Sequence, residues 1–401
     1  MLPFFDRIAT HFKGMMERPR SATSQPFVAL YGMERPRWIP RDYGAIAHDG
    51  FRRNPIVHRC IKLISESAAA VPWFVREGGC DYSEHSLKDL LSAPNEHQSG
   101  ADFLEGVYTH LLVSGNAYVN AVEISGQVRA LYSLRPDRVQ VVLDGEGWPT
   151  AYDYRAGSTC VRFPQHSSSD HGLSAILHLK LFNPLDDHYG LSPLEACSLA
   201  LETHTAASTW NKALLDNAAR PSGALVYTGP EGSFLTDNQF ERLKRELEHQ
   251  FQGARNAGRP FLLEGGLDWK ALSLSPKDMD FVETKAMAAR EIALAFGVPP
   301  LLLGLPGDNT YANFAEANRA FLRHTVIPLA QRTACRFAQW LGPHMSDAKR
   351  GRLSLELDLE RLDALAAERE ALWRRVTAAD FLSDEEKREA VGYGKQDVTR
   401  N

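Results

Sequence analysis

Apolar positions along this chain recur at helical spacing in some stretches and at alternate residues in others, and the switches between the two divide it into elements. Residues 1–40 follow neither pattern and hold prolines at 3, 19, 26, 36 and 40, which predicts an extended arm ordered only against a partner. Asn54-Pro55 reads as an N-cap followed by proline at the first helical position, opening a helix that runs to about residue 70 and stops before Pro72. Ser99 and Asp102 have capping-box spacing for a helix over 101–113, closed by Ser114-Gly115-Asn116. From 117 to 180 the pattern is alternation. AYVNAVE, VRALYSL, RVQVVL, TAYDY, TCVRF and ILHLKLF, separated by turns such as Ser125-Gly126 and Asp144-Gly145, predict an antiparallel sheet with a polar loop at 165–172.

Helical signals return at Ser192-Pro193-Leu194-Glu195, a capping box whose helix could reach residue 219 before Pro221. A strand at 223–228 follows, then a helix from Thr236 to a stop at Gly253, then a small β unit, PFLLEGGLDWKALS, turning at Gly265-Gly266. Ser275-Pro276-Lys277-Asp278 caps a further helix to Phe296, ended by Gly297 and the pair Pro299-Pro300. The loop GVPPLLLGLPGDNTY leads into a long helix over 312–341, which Pro328 should kink. A strand at 353–359 and helices at 363–378 and 384–391 complete an α+β chain.

Composition narrows the function. The 401 residues are 44 % hydrophobic and 24 % charged, values of an ordinary globular protein with room for more than one domain. Forty-five basic against fifty acidic side chains leave a net charge of −5, which argues against a protein that grips DNA through a basic surface. A protein that handles DNA without gripping it is still allowed. The cysteines at 60, 80, 160, 197 and 335 include no CxxC pair, so they read as reduced thiols of a cytoplasmic chain, not a disulfide framework or zinc ribbon. The longest uncharged stretch, 292–307, is too short to span a bilayer and is broken by three prolines. The N-terminus lacks the pattern of a signal peptide.

Candidate chemistry is sparse. There is no Walker A loop, GxGxxG after a strand, GxSxG elbow or HExxH helix. Asp186, Asp187 and His188 could bind a divalent ion or act as acid and base in a metal-dependent hydrolase, but the sequence offers no third ligand. The simpler reading is a polar lead-in to the helix capped by Ser192, where acidic groups suit the helix dipole. His166 and His171 read as solvated loop residues, His204 as a packed or interfacial histidine, and the seven tryptophans as core and interface anchors. The charge run 384–389 reads as a solvated helix start. The expectation is therefore no catalytic residue, no metal and no cofactor.

Eight strings in order then carry a resemblance. They are NPIVHRCIKLISESAAAVPW, LLVSGNAYV, LRPDRVQVV, DDHYGLSPLEA, DNAARPSGAL, GRPFLLEGGLDWKALSLSPKDMDFVE, REIALAFGVPPLLLG and TYANFAEANRAFLRHTVIPLA, covering about residues 50–345. Together they resemble the HK97-type portal proteins of tailed bacteriophages, and look closest to portals of gene-transfer-agent-like particles. The resemblance implies a non-enzymatic ring, commonly a dodecamer, at the unique capsid vertex of a virion or gene-transfer-agent particle assembled in a bacterial cytoplasm. A tail or adaptor ring component is the neighbouring alternative. Double-stranded DNA would pass through the channel regardless of its sequence. The large terminase subunit would dock during packaging and a head–tail adaptor protein afterwards, with the major capsid protein around the ring and no membrane involved.

The same resemblance implies an arm at 1–40, a wing at 41–235 and 312–360, stem helices at 236–252 and 277–298, a clip at 253–276, a tunnel loop at 299–311 and a crown at 361–401. The channel residues would be Gly304, Leu305, Pro306, Gly307, Asp308, Asn309, Thr310 and Tyr311, with Asp278, Asp280, Glu283, Lys285 and Glu291 as candidates for the stem lumen. The charges fit that assignment. Over 278–296, four acids against Lys285 and Arg290 give −4 + 2 = −2, a surface on which DNA slides with little friction. Over 253–277, Arg255, Arg259, Lys270 and Lys277 against Glu264 and Asp268 give +4 − 2 = +2, which suits an acidic partner. Arg255, Arg259 and Lys270 are the docking candidates, and a ring multiplies every such imbalance by its subunit number.

Overall fold

The computed structural model describes residues 26–31, 36–40, 47–78, 80–82, 84–165, 173–216, 223–227, 238, 267–271, 281–305, 311–345 and 352–391. Within the expected arm it has an antiparallel hairpin, β1 (Pro26–Tyr31) with β2 (Pro36–Pro40). Prolines suppressed the strand signal there, yet they stand at the ends of the two strands, where a missing ladder donor costs least. After a π-helical turn at Ala47–Arg52 comes α1 (Pro55–Ala69). Asn54 Oδ1 accepts from the amides of Ile56 and Val57 at 3.0 and 3.2 Å, and Pro55 has no amide needing a partner. The face Val57, Cys60, Ile61, Ile64 and Ala68 is buried, the stripe expected of an amphipathic helix.

The chain then forms β3 (Trp73–Glu77), β4 (Cys80–Tyr82) and the short α2 (Ser86–Ser92) before α3 (Gly100–Ser114). The capping box at α3 is as expected: Ser99 and Asp102 exchange side-chain and backbone bonds, and Gly115 closes the helix in the left-handed region at φ 76°. Helices α1 and α3 pack on each other as the centre of the main core.

Six strands follow at the expected places: β5 (Asn116–Ile124), β6 (Gln127–Leu134), β7 (Val139–Leu143), β8 (Pro149–Ala156), β9 (Thr159–Pro164) and β10 (Ile176–Lys180). They form two three-stranded antiparallel sheets, β10-β5-β6 and β7-β8-β9, instead of the single sheet expected. The 3₁₀ turn Pro136–Arg138 redirects the chain between β6 and β7, so those neighbours in sequence do not pair.

Ser192 caps α4 (Pro193–Ala196) by accepting from the amide of Leu194 at 3.1 Å. The helix expected to run on unbroken is interrupted at Cys197 (φ −104°, ψ 18°) and resumes as α5 (Ser198–Asp216). Next, β11 (Gly223–Tyr227) pairs antiparallel with β12 (Leu267–Ala271). The expected helix 236–252, apart from Asn238, and the turn Gly265-Gly266 lie outside the described residues. Helix α6 (Phe281–Ala295) packs against both α5 and α1.

The expected long helix is present as α7 (Tyr311–Phe321) and α8 (Ile327–Met345), joined by a π turn at Leu322–Val326. The irregularity falls just before Pro328, where the wide turn accommodates the missing amide donor, and α8 continues through Pro343. Strand β13 (Leu353–Leu357) returns to β3, pairing residues more than 270 positions apart, and Arg76 bridges Asp81 at 2.6 Å and Glu356 at 2.8 Å across that sheet. Helices α9 (Ala366–Thr377) and α10 (Asp384–Ala390) end the described chain.

Phe337 of α8 is the hinge of the core. It is fully buried, with the rings of Trp73, Phe103 and Trp340 at 6.0, 6.3 and 6.2 Å. Phe337→Ala should lower unfolding stability by about 4 kcal/mol, the sum of lost transfer energy and an unfilled cavity. Denaturant unfolding reads this directly, and a loss below about 1 kcal/mol would show that the ring is not central.

Candidate functional site

Asp186, Asp187 and His188 lie in the loop 181–191, between β10 and α4. There Asp186 Oδ1 accepts from the amides of His188 and Tyr189 at 2.7 and 2.9 Å, so this carboxylate shapes the loop backbone. Asn183 Oδ1 accepts from the Leu185 amide at 3.0 Å, while its Nδ2 donates to the Tyr189 carbonyl at 3.0 Å. Lys180 Nζ donates to the Asp187 carbonyl. The Tyr189 hydroxyl accepts from the Val141 amide at 3.0 Å, which fastens the loop to the second sheet. Among the described residues, no three His, Cys, Asp or Glu side chains gather in a metal-holding group.

The base of this loop rests on a direct backbone contact. Leu181 donates its amide to the Gly115 carbonyl at 2.9 Å, and a Cβ on Gly190 would stand 2.1 Å from that same oxygen. Asn116 Oδ1 accepts from the Gly190 amide at 2.8 Å and lies 3.0 Å from His178 Nε2. His178 stacks on Tyr118 with ring centres 4.3 Å apart and meets the Tyr152 ring edge-on. Burial, with the nearby positive charges of Lys180 and Arg336, pushes its pKa down to about 3. Nothing in the sequence marked Asn116 as more than a helix stop or His178 as more than a strand residue; the available signal was a polar pair on the apolar strands β5 and β10.

His204 is buried, as a packed histidine should be, and its Nδ1 lies 3.0 Å from Asn54 Nδ2. Asn54 therefore caps α1 with its oxygen and ties α1 to α5 with its nitrogen. Two residues earlier on α5, Glu202 is buried with Oε1 unbonded, and burial raises its pKa to about 7.

The residues implied by the resemblance are placed unevenly. Glu283 and Glu291 are exposed on α6, eight residues apart and on one stripe with Met287 and Leu294, while Lys285 is half-buried. The opposite face, Ala288, Ala289, Ile292, Ala293 and Phe296, is buried. The Thr325 hydroxyl donates to the Gly297 carbonyl at 2.6 Å, joining the end of α6 to the π turn. Gly304, at φ 70°, and Leu305 follow the 3₁₀ turn Pro300–Leu303, and Tyr311 opens α7. Lys270 stands on β12 opposite Ala224. Pro306, Gly307, Asp308, Asn309, Thr310, Asp278, Asp280, Arg255 and Arg259 lie outside the described residues, as do His166 and His171.

Two observations define the class of protein. The Asp186 carboxylate is occupied with bracing its own loop, and several large apolar side chains, among them Phe182, Leu185, Val282 and Leu294, face solvent in the single chain. Those are marks of a subunit of a larger structural assembly. Residues 55–392 match the family described as phage portal protein, and the chain belongs to that family. It is accordingly a structural protein and not an enzyme.

Its relatives agree. An uncharacterized protein of Rickettsia bellii is 42 % identical over 349 residues, 86 % of this chain and 88 % of that protein. The portal protein of Enterobacteria phage HK97 is 27 % identical over 316 residues, 76 % of this chain and 70 % of that protein. Among solved structures, a chain in the neck of an empty GTA particle computed with C6 symmetry is 50 % identical, with TM-score 0.68 over 90 % of this chain and 96 % of that one. A chain in the neck of the native GTA particle computed with C12 symmetry is 48 % identical, with TM-score 0.66 over 94 % and 97 %. The HK97-type portal fold expected from the sequence is therefore the fold found.

The depressed pKa of His178 makes a pH prediction. Above its unfolded value of 6.5 the ring is neutral in both states, and its contribution to stability is complete. As pH falls from 6.5 toward 3 the unfolded chain takes up a proton that the folded chain refuses, and stability is lost. His178→Gln should thus flatten the fall in melting temperature between pH 6.5 and 4 relative to the unaltered protein. Parallel melting curves across that range would contradict the assignment.

Proposed function

We propose that this chain assembles into a ring, a dodecamer, at the unique vertex of a phage-like or gene-transfer-agent-like capsid, and that double-stranded DNA enters and leaves through the ring's channel. What supports the reading is one observation: the family match over residues 55–392, joined to 48–50 % identity with chains in GTA necks. The large terminase subunit docks on the ring during packaging and supplies the ATP hydrolysis, since this sequence has no phosphate loop. A head–tail adaptor protein takes the same place afterwards, and the major capsid protein surrounds the wing.

Packing supports a shift in the stem. Helices α5 and α6 lie against each other, and the strands β11 and β12, which come between them in the sequence, pair with each other. On this reading the stem is α5 with α6, and the clip is assigned to the sequence between them, taking in both the helix expected at 236–252 and the segment 253–276. Glu283 and Glu291 give the stem an acidic stripe, repeated in every subunit. Phosphates are repelled mildly by such a lining, whereas each added lysine or arginine would raise nonspecific affinity with a salt slope of about 0.9 per phosphate neutralised.

The segment 304–311, between Gly304 and the start of α7, is the tunnel loop. Asn309, Thr310 and Tyr311 offer neutral hydrogen bonds to passing phosphates without a fixed positive charge. In a particle assembly assay, Asp308→Lys with Asn309→Lys should cut nuclease-protected DNA at least tenfold while rings still form. Reversing Arg255 and Arg259 to glutamate should cut it as well, through weakened terminase binding in a pull-down. Normal DNA yield from the first pair, or unchanged terminase binding by the second, removes the corresponding assignment.

A further inference from the structure

A cleft of about 450 Å³ opens where the second sheet, β10 and α8 meet. Its walls are fixed by the fold: Tyr152 and Trp340 are buried, Trp340 Nε1 donates to the Ser174 carbonyl at 2.7 Å, and His178 stacks on Tyr118. Three nitrogen-bearing side chains reach the cleft from three separate elements. Lys180 stands two residues from His178 on the same face of β10, His188 comes from the loop 181–191, and Arg336 lies one turn before Trp340 on α8. All three act electrostatically on the His178 ring, so they converge in space as well as in the lining. Among the described residues no acidic side chain lines the cleft. Asp153, next to Tyr152 on β8, is turned to the opposite face and pairs with Arg162 at 2.6 Å. Asp186 Oδ1 is taken by the amides of His188 and Tyr189. Lys180 Nζ and Arg336 Nη1 bond to neutral acceptors, the Asp187 carbonyl and the Gln339 side chain.

We infer that this cleft is a binding site for a free tetrahedral dianion of the phosphate class. Positive charges gathered in a recess with apolar and aromatic walls focus their field on the space between them. His178 is neutral, so the fixed charge facing the cleft is that of one lysine and one arginine. A dianion matches both, whereas a carboxylate leaves one unmatched. The donors fit the same ligand: the guanidinium fork of Arg336 suits two oxygens at once, and the Lys180 ammonium and an N–H of His188 serve the others. A cleft of this volume holds one such ion with a few waters and does not admit a duplex. The bound ion would tie β10, the loop 181–191 and α8 together at the edge of the second sheet, which stabilises the folded chain by mass action. The inference stands apart from the ring reading above.

The test titrates inorganic phosphate into the full-length protein by calorimetry, in slightly alkaline buffer with ionic strength held constant by chloride. The unaltered protein should show saturable binding of one ion per chain and a melting temperature that rises with phosphate. Arg336→Gln should weaken the affinity by about tenfold or more, as the loss of a charge-assisted pair requires, with circular dichroism unchanged because Arg336 is exposed. Lys180→Gln should weaken it similarly and Lys180→Arg should retain it, while Arg375→Gln, on the exposed surface of α9, should leave it unaltered. Absence of saturable phosphate binding to the unaltered protein overturns the inference, as does binding that neither Arg336→Gln nor Lys180→Gln weakens. Acetate bound as tightly as phosphate overturns the choice of a dianion. A short DNA duplex that displaces phosphate from the unaltered protein overturns the choice of a free ion. The portal reading is untouched by any of these results, since it stands or falls on ring formation.

Discussion

Gly115 and Gly190 approach so closely that a Cβ on either would fall 2.5 Å or less from the other's carbonyl oxygen. Gly115 also sits at φ 76°, where a side chain would be strained even in open space. This contact joins the end of α3, the start of β5 and the loop 181–191, and Asn116 and Ser192 seal it on either side. It sets the first sheet against the entry into α4. With backbone against backbone there is no side-chain rotamer to give, so these segments are held in fixed relation.

The polar groups that would suggest chemistry are used as structure. Asp186 spends its carboxylate on two amides, His178 is kept neutral between aromatic rings, and His204 shares Asn54 with the start of α1. The bonds of Asn54 to His204 and of Asn116 to Gly190 link segments far apart in sequence. Their value is the accuracy with which they set these segments against one another. In the proposed channel, the exposed Glu283 and Glu291 of α6 would keep DNA from adhering.

Local signals in the sequence were legible where they are self-contained. The Asn54 cap, the Ser99–Asp102 box and the six strands from 116 to 180 need only neighbours within a few residues, and the structure has them. Partner choice was not legible, because alternation marks a strand without saying what it pairs with. The division into two sheets turns on the Pro136–Arg138 turn, and β3 finds β13 from the other end of the chain. The hairpin of β1 and β2 was obscured by terminal prolines, and the break at Cys197 leaves no propensity signal. The acid–imidazole cluster was ambiguous for a physical reason: carboxylate and imidazole suit both metal binding and turn capping, and only the geometry of Asp186 against its own backbone separates the two. The family resemblance, carried by strings spread over most of the chain, reached the correct fold without resolving any of these pairings.

The central claim is that many copies of this chain close into a ring around a DNA-sized hole. Electron microscopy of the purified protein at high concentration, with end-on views classified without imposed symmetry, tests it most directly. The account predicts closed rings with an open centre and near-twelvefold symmetry. Compact monomers under the same conditions, matched by particles that lack a ring at the vertex, would contradict it.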